Sequence, residues 1–245
     1  MKSVSFDSEL CKFGIGLFET IKIKDKAIDL DLHLDRMFNS IDILNLNVNY
    51  NKDFIKDIIN LYIKENNIKD KALRITIFDK GYNISTRDIP YDKEDYNRGF
   101  TLNISSIKRG NSIIYKHKTT NYYENIYTKR NAMKAGYDDG IFLNTDDIIL
   151  ECSMSNIYFI KNNEVYTPSS DLPILNGTMK KRVFNACNIL GINIHEKHIK
   201  LDKIGDYDFV FISNSLMNIM KVSRIEDNYY NQSNEVFEKI FNFIK

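Results

Sequence analysis

Lys118 lies in the polar segment Tyr115-Lys116-His117-Lys118-Thr119-Thr120-Asn121-Tyr122, just after the apolar pair Ile113-Ile114. A lysine amine can form a Schiff base with an aldehyde when it is partly deprotonated and held at a fixed distance from the aldehyde carbon. We expect the apolar pair to belong to a short strand that supplies this rigidity. Lys116 is the rival in the same segment, and a solvated surface lysine is the default interpretation of either residue taken alone.

Two features downstream of Lys118 carry complementary chemistry. Glu151 lies in a stretch of small residues before a predicted strand at 156–160, and a carboxylate in such a place can hold a ring nitrogen protonated. Gly177-Thr178-Met179 opens a predicted helix, whose first amides and dipole favour an anion. Taken alone, a surface glutamate and an ordinary helix start explain these features equally well.

In chain order these features match the parts of pyridoxal 5'-phosphate (PLP), which carries an aldehyde, a ring nitrogen and a phosphate. Lys118 would form the Schiff base, Glu151 would hold the ring nitrogen protonated, and the turn before the helix would bind the phosphate. Ser213-Asn214-Ser215 ends a predicted strand, and its hydroxyls could reach the same phosphate. Arg36 could add charge-assisted hydrogen bonds, unless it is one more solvated helix cation.

The composition indicates a globular intracellular protein. Its 34 basic and 33 acidic residues give a net charge of +1, so there is no electrostatic case for binding nucleic acid or a membrane surface. The N-terminal residues lack the apolar stretch of a secretory signal, and no apolar run reaches membrane-spanning length. Three widely spaced cysteines are typical of free thiols in a reducing compartment, so we expect a cytoplasmic location.

Other chemistries are less well supported by the sequence. His195 and His198 are near enough for a metal pair, but no third ligand is evident, so we predict no metal site. Cys152 lacks the flanking residues of a thiol enzyme and is expected to be a buried structural cysteine. No GxGxxG or Walker sequence is present.

Periodicity and turn residues predict a mixed α+β fold, because helices and strands follow one another without strict alternation. Predicted helices are a segment capped by Asp31 that runs to about Leu46, a segment capped by Asn51, 123–135, a segment between Gly177 and Gly191, and 236–244. Predicted strands are 17–23, a short return near 27–28, 72–78, 100–107, 140–143, 156–160, 165–166, 192–194, 208–212 and 219–222. The polar stretch between 78 and 100 is predicted as a long loop. A boundary near Arg109-Gly110-Asn111 divides the chain into domains 1–109 and 110–245, the second carrying Lys118.

These ordered motifs resemble the class IV aminotransferase family, the PLP enzymes of fold type IV. The matching segments are His33-Leu34-Asp35-Arg36 for the phosphate-binding helix, Lys118 with Asn121 for the Schiff-base lysine, Glu151 to Asn156 for the ring-nitrogen motif, and Thr167-Pro168 with Leu175-Asn176-Gly177-Thr178 for the approach to the phosphate loop. One departure is Lys180, which stands where the family commonly has an arginine.

The resemblance implies two α/β domains with PLP in the cleft between them, in a homodimer whose subunits both shape the pocket. It implies Lys118 as the catalytic residue. The cofactor-binding residues that it implies are Arg36, Tyr122, Glu151, Asn156, Thr178, Met179 and Ser215.

Within the family, the short interval from Lys118 to Asn121 and the short chain favour 4-amino-4-deoxychorismate lyase, an enzyme of folate biosynthesis. Phe18 also stands where D-amino acid aminotransferases tend to have tyrosine. The lyase substrate is a dianion, so Arg74, Arg87 and Arg109 are candidates to bind its carboxylates, with a plain surface position as the alternative for each. An aminotransferase acting on D-amino acids or branched-chain amino acids stays open, as does a PLP-binding protein without enzymatic activity.

Overall fold

The computed structural model describes residues 4–245, which form two compact units. The first unit comprises the described chain up to Pro90 together with His117–Tyr122, and the second comprises Tyr91–Lys116 and Tyr123–Lys245. The predicted α+β class is confirmed. The division of the chain differs from the predicted boundary at residue 109, because the strand before that residue belongs to the second unit and the Lys118 segment belongs to the first.

The first unit is a three-stranded antiparallel sheet in the order β1-β2-β3, with helices packed on one face. Its elements are α1 (Glu9–Phe13), β1 (Leu17–Ile23), α2 (Leu30–Ile43), α3 (Lys52–Glu65), β2 (Lys71–Phe78) and β3 (Gly81–Asp88). Side chains of a strand point alternately to its two faces. The odd-numbered apolar residues of β1 and β2 therefore pack against α2 and α3, and the even-numbered ones lie on the opposite face.

The two long helices begin differently. Asn51 caps α3 as predicted, since its side chain accepts a hydrogen bond from the Phe54 N–H at 2.8 Å. The predicted cap of α2 at Asp31 is wrong: the cap is Asp29, two residues earlier and in the left-handed region, and α2 begins at Leu30. Asp31 lies in the first turn and pairs with Lys56 at 2.7 Å.

The predicted long loop between residues 78 and 100 is also wrong. Phe78 pairs with Gly81 across a tight turn, and β3 then pairs with β2 along its whole length. Asp92 and Asp95 form a reciprocal capping box that starts α4 (Lys93–Arg98). The stretch was missed because β3 is an edge strand with few apolar residues and α4 buries none of its side chains.

The second unit is built on a nine-stranded sheet in the order β6-β5-β4-β11-β10-β7-β8-β9, with β12 beside β11. After α4 its elements are β4 (Phe100–Arg109), α5 (Tyr123–Lys134), β5 (Asp139–Asn144), β6 (Ile149–Cys152), β7 (Asn156–Lys161), β8 (Glu164–Pro168), α6 (Thr178–Leu190), β9 (Ile194–Lys197), β10 (Phe209–Asn214), β11 (Asn218–Ile225), β12 (Asn228–Tyr229) and α7 (Glu235–Ile244). Short 3₁₀ helices lie at Ile113–Lys116 and Leu201–Asp206.

The central strands β7 and β10 are buried on both faces. Helices α6 and α7 cover one of these two faces. Gly191 ends α6 in the left-handed conformation, as predicted. Candidate site residues of the second unit lie near the ends of these elements. Arg109 ends β4, Glu151 and Asn156 lie on either side of the turn between β6 and β7, Thr178 and Met179 begin α6, and Ser215 follows β10.

Among residues 4–245, no helix is long and apolar enough to cross a membrane. In the same range no group of three or more His, Cys, Asp or Glu side chains is arranged to hold a metal ion. Cys152 and Cys187 are buried and Cys11 is exposed, all as free thiols.

Candidate active site

Lys118 is held by hydrogen bonds to the start of β1. The predicted strand before it is wrong, because Ile113–Lys116 is a 3₁₀ helix. The Phe18 N–H donates to the Lys118 carbonyl at 3.0 Å, and the Thr120 N–H donates to the Gly16 carbonyl at 2.9 Å. A Cβ at Gly16 would lie 2.9 Å from the Ile77 carbonyl, so this close approach requires glycine.

The two lysines of the segment have different surroundings. Lys118 Nζ lies 4.6 Å from the ring centre of Phe18 and 5.1 Å from that of Tyr122, and these rings meet edge to face at 5.0 Å. Lys116 Nζ instead binds the backbone carbonyls of Ser170 and Asp171 at 3.4 and 3.0 Å. Lys118 therefore has an aromatic setting that suits a reactive lysine, whereas Lys116 anchors a loop.

Arg74 and Arg87 lie on the same face of the first unit's sheet as Phe18. The register pairs Phe18 with Thr76 and Arg74 with Ser85, and Arg87 follows two residues after Ser85. The Arg74 guanidinium carbon lies 3.6 Å above the Phe18 ring. Partial desolvation lowers the pKa of Arg74. Tyr122 opposes this effect, and the like charge of Arg87 lowers the pKa further by a smaller amount.

This face, which we call the cationic face, carries polar and basic side chains and no acidic one along the three strands. Its polar and basic members are Thr20, Lys22, Arg74, Thr76, Asn83, Ser85 and Arg87. Within the strands no carboxylate neutralises the arginines, so the face favours anionic ligands.

Arg36, the predicted phosphate ligand, is bound by a carboxylate that sequence reasoning missed. It donates Nε to Glu19 Oε1 at 2.8 Å and Nη2 to Oε2 at 2.6 Å, and His33 Nδ1 lies 2.7 Å from the same Oε2. Glu19 is completely buried. Burial raises the pKa of this carboxyl, but the charges and hydrogen bonds of Arg36 and His33 outweigh it and lower the pKa to about 2.

In the second unit, Glu151 is held through both of its oxygens. Arg109 Nη1 donates to Oε1 at 2.8 Å, and the Leu175 N–H donates to Oε2 at 3.1 Å. Arg109 is 2% exposed, binds Asn125 at 3.1 Å and stacks over Phe142 at 3.6 Å. Its predicted role in binding substrate does not suit this position, because the guanidinium is buried and committed to Glu151.

The turn between β6 and β7 fixes Glu151 and Asn156 at its two ends. Asp139 accepts hydrogen bonds from the Ser153 hydroxyl and from the Met154 N–H, the latter at 3.3 Å, and Asn125 donates to the Ser153 carbonyl at 2.7 Å. Complete burial raises the pKa of Asp139, and the nearby Lys129 charge and these hydrogen bonds offset that only in part. The turn is therefore clamped from β5 and α5.

Asn156 joins this turn to the start of α6. Its Nδ2 donates to the Leu175 carbonyl at 2.9 Å, and a Cβ at Gly177 would lie 2.2 Å from its Oδ1, so only glycine fits there. Helix α6 has no side-chain cap, which leaves its N-terminal amides for an anion. Thr178 Oγ1 and Ser215 Oγ lie 2.9 Å apart, while the Met179 side chain is buried in the core, so Met179 can contribute only its amide.

Lys180, in the first turn of α6, anchors the chain at the end of β8. It is 2% exposed, and its Nζ donates to the Pro168 carbonyl at 3.0 Å, to Ser170 Oγ at 3.1 Å and to Glu196 Oε1 at 2.8 Å. Lys180 replaces the arginine that is common in the family, but it is still a buried cation, and it ties the end of β8 to β9.

The sequence profile described as Amino-transferase class IV matches residues 16–225. The chain belongs to the class IV aminotransferase family. Membership confirms the predicted resemblance. It also confirms the prediction that the protein is a PLP-dependent enzyme, either a lyase or an aminotransferase.

Individual relatives differ in their activities. The aminodeoxychorismate lyase of Bacillus subtilis is 28% identical over 91% of this chain and 82% of its own length. The D-alanine aminotransferase of Bacillus licheniformis is 24% identical over 91% and 83%. The solved structure of the Escherichia coli branched-chain amino acid aminotransferase superposes with a TM-score of 0.90 at 21% identity, over 99% of this chain and 90% of that one, and shows the shared fold.

The residues of each unit fit parts of PLP. In the second unit, the glycine-dependent approach of Gly177 to Asn156 and the uncapped start of α6 suit a phosphate, and the anchored Glu151 carboxylate suits a protonated ring nitrogen. In the first unit, Lys118 beside two aromatic rings suits a lysine that binds the aldehyde.

The buried pair of Arg109 and Glu151 yields a stability prediction. Arg109→Met should lower the free energy of unfolding in urea by about 3–5 kcal/mol, because it leaves a buried carboxylate without its cation. Adding Glu151→Gln should recover much of that loss. Lys56→Met, which breaks an exposed pair with Asp31, should change stability far less. An Arg109→Met variant as stable as the parent protein would contradict the ion pair.

The low pKa of Glu19 yields a pH prediction. A carboxyl with a depressed folded-state pKa contributes stability above its ordinary pKa of 4.5, and that contribution is lost as the pH falls to about 2. The wild-type protein should therefore lose about 3 kcal/mol more than Glu19→Gln over this interval. Asp25→Asn, which removes a largely exposed carboxylate, should leave the wild-type slope unchanged in parallel urea titrations. Equal slopes for wild type and Glu19→Gln would disprove the assignment.

Proposed function

We propose that this enzyme is a PLP-dependent lyase that converts 4-amino-4-deoxychorismate to 4-aminobenzoate and pyruvate, a step of folate biosynthesis. The cationic face beside Lys118 is the observation that carries the proposal. It presents Arg74 and Arg87, and no acidic side chain of the three strands lies on this face, while the lyase substrate carries two carboxylates. The lyase from Bacillus subtilis is among the relatives with 28% identity.

The Phe18 ring places Arg74 close to Lys118. It lies 4.6 Å from the lysine amine and 3.6 Å from the Arg74 guanidinium carbon, and it is 3% exposed. Arginines on this face can therefore hold substrate carboxylates near the lysine.

In this reaction Lys118 would act as the base. PLP, when bound, would withdraw electrons from the carbon that bears the substrate amine. Lys118 would take the ring proton at that carbon. Glu151, paired with Arg109 at 2.8 Å, would keep the cofactor ring nitrogen protonated. Protonation of the enolpyruvyl methylene and cleavage of its ether bond to the ring would then release pyruvate and leave an aromatic ring.

The remaining candidate residues have supporting roles in the proposal. Arg36, Thr178 and Ser215 bind phosphate through their side chains, and Met179 binds it through its amide. Asn156 holds the start of α6, and Tyr122 packs beside the lysine amine. We place Arg109 in support of Glu151 rather than on the substrate. The homodimer and the cytoplasmic location stay predictions.

An aminotransferase acting on D-amino acids or branched-chain amino acids is the second candidate. The relatives and solved structures that match this chain include both kinds of aminotransferase. An aminotransferase would use the same Lys118 and Glu151 but would accept an amino group from an amino acid. Incubation of the yellow enzyme with D-alanine or leucine alone should then bleach its colour, whereas the lyase should keep it.

The decisive assay supplies 4-amino-4-deoxychorismate to the PLP-loaded enzyme and follows release of 4-aminobenzoate. Lys118→Ala should abolish turnover, while Lys116→Ala should keep it, because Lys116 only binds backbone carbonyls. No release by yellow wild-type enzyme would reject the lyase in favour of the aminotransferase.

The cationic face has its own kinetic prediction. Arg74→Ala and Arg87→Ala should each raise KM for the dianionic substrate by about tenfold or more, because each removes a charge-assisted hydrogen bond. Lys56→Ala, a cation on α3 in the same unit, serves as the matched control and should leave KM unchanged. If KM were unchanged in both arginine variants, the cationic face would not bind the substrate carboxylates.

A further inference from the structure

We infer that a closed ring of hydrogen bonds within the first unit sets the spacing between Arg36 and Lys118, with Glu19, Ser40 and His117 as its positioning residues. The inference rests on the proposed function, in which Arg36 binds the cofactor phosphate and Lys118 its aldehyde carbon. The two groups are far apart in sequence, and two separate routes join them.

The first route runs through β1. The Phe18 N–H donates to the Lys118 carbonyl at 3.0 Å, which ties the lysine backbone to the strand. The next residue is Glu19, whose carboxylate accepts from Arg36 through two hydrogen bonds of 2.8 and 2.6 Å. Adjacent residues of one strand therefore hold the lysine and the arginine.

The second route runs through α2. Ser40 Oγ donates to the Arg36 carbonyl at 2.8 Å, and His117 Nδ1 lies 2.8 Å from the same Ser40 oxygen. Because the serine proton is already donated to the carbonyl, Ser40 accepts from His117, which must carry its proton on Nδ1. His117 directly precedes Lys118, so the ring closes at the lysine.

Two side chains of the ring are buried, which limits their movement. Glu19 is fully buried and Ser40 is 2% exposed, while Arg36 and His117 are half-buried; His33, the second partner of Glu19, is 1% exposed. His33, Arg36 and Ser40 are spaced three and four residues apart, so they share one face of α2. Polar side chains on a buried helix face cost stability unless each is satisfied. Here their partners are Glu19 on β1, the strand that holds the lysine segment, and His117, the residue before Lys118.

The two routes should have separable effects. Loss of Glu19 releases the Arg36 guanidinium and should weaken contacts to a phosphate. Loss of the Ser40 to His117 contact releases the lysine backbone and should slow attachment of any aldehyde, with or without a phosphate. Pyridoxal, which lacks the phosphate, distinguishes the two effects from each other and from general damage to the fold.

The experiment titrates wild type, Glu19→Gln and Ser40→Ala with PLP and with pyridoxal, following the absorbance of the lysine-bound form. Glu19→Gln should raise the dissociation constant for PLP by about tenfold and that for pyridoxal by less than about twofold. Ser40→Ala should slow attachment of both aldehydes by about fivefold. His117→Asn, whose amide can replace the Nδ1–H donor, should attach both at the wild-type rate, and His117→Leu should resemble Ser40→Ala.

Ser223→Ala is the matched control. Like Ser40→Ala, it removes a serine hydroxyl that donates to a backbone carbonyl, here that of Phe100 in the second unit at 3.2 Å. It should leave both titrations unchanged. If Glu19→Gln weakened PLP and pyridoxal equally, or if Ser40→Ala attached both at the wild-type rate, the ring would be overturned. Wild-type protein that bound neither aldehyde would instead reject the proposed function. If Glu19→Gln failed to fold, the Ser40 and His117 variants would still decide the question.

Discussion

A buried carboxylate is stable in its ionised form only where cations and hydrogen-bond donors surround it, and Glu19 meets this condition through Arg36 and His33. The requirement determines more than local charge. It joins β1 to α2 at Arg36, the proposed phosphate ligand, and the residue before Glu19 holds the lysine segment against the same strand. The core of the first unit packs on one face of the sheet, opposite the cationic face where we propose that the substrate binds.

The second unit shows a different solution for buried acids. Asp139 accepts hydrogen bonds from a hydroxyl and from backbone amides, and its complete burial raises its pKa. Glu151 instead is paired with a buried arginine, which suits the proposed role of a carboxylate beside a ring nitrogen. Two acids in neighbouring strands therefore have different surroundings: Asp139 shapes the turn between β6 and β7, and Glu151 forms an ion pair.

Sequence reasoning is most specific where residue type alone limits the chemistry. It selected Lys118, Glu151 and Gly177, whose roles stay predictions, because few residues can form a Schiff base, hold a ring nitrogen protonated or permit a close turn before a helix. Elements with one strongly apolar face, such as α3 and β1, were also predicted well. The edge strand β3 was missed because its few apolar residues give little periodic signal.

What could not be predicted depends on long-range pairing. Glu19 occupies an inward position between apolar residues of β1, a local sign of a buried acid, but its partner lies on another element. In the sequence, Arg109 is a cation next to the predicted domain boundary, and only the structure shows that it pairs with Glu151. The contact between Ser40 and His117 is likewise visible only in the structure. Such partners are brought together by the register of the sheet and the packing of α2, which no short segment encodes.

The path of the chain between the units has a consequence for biosynthesis. The chain leaves the first unit after Pro90, returns to it for the six residues from His117 to Tyr122, and leaves again. While a ribosome makes the protein, the first ninety residues emerge without the lysine segment that packs on β1. The first unit can therefore assume its final form only after translation has passed residue 122, when part of the second unit has already been made.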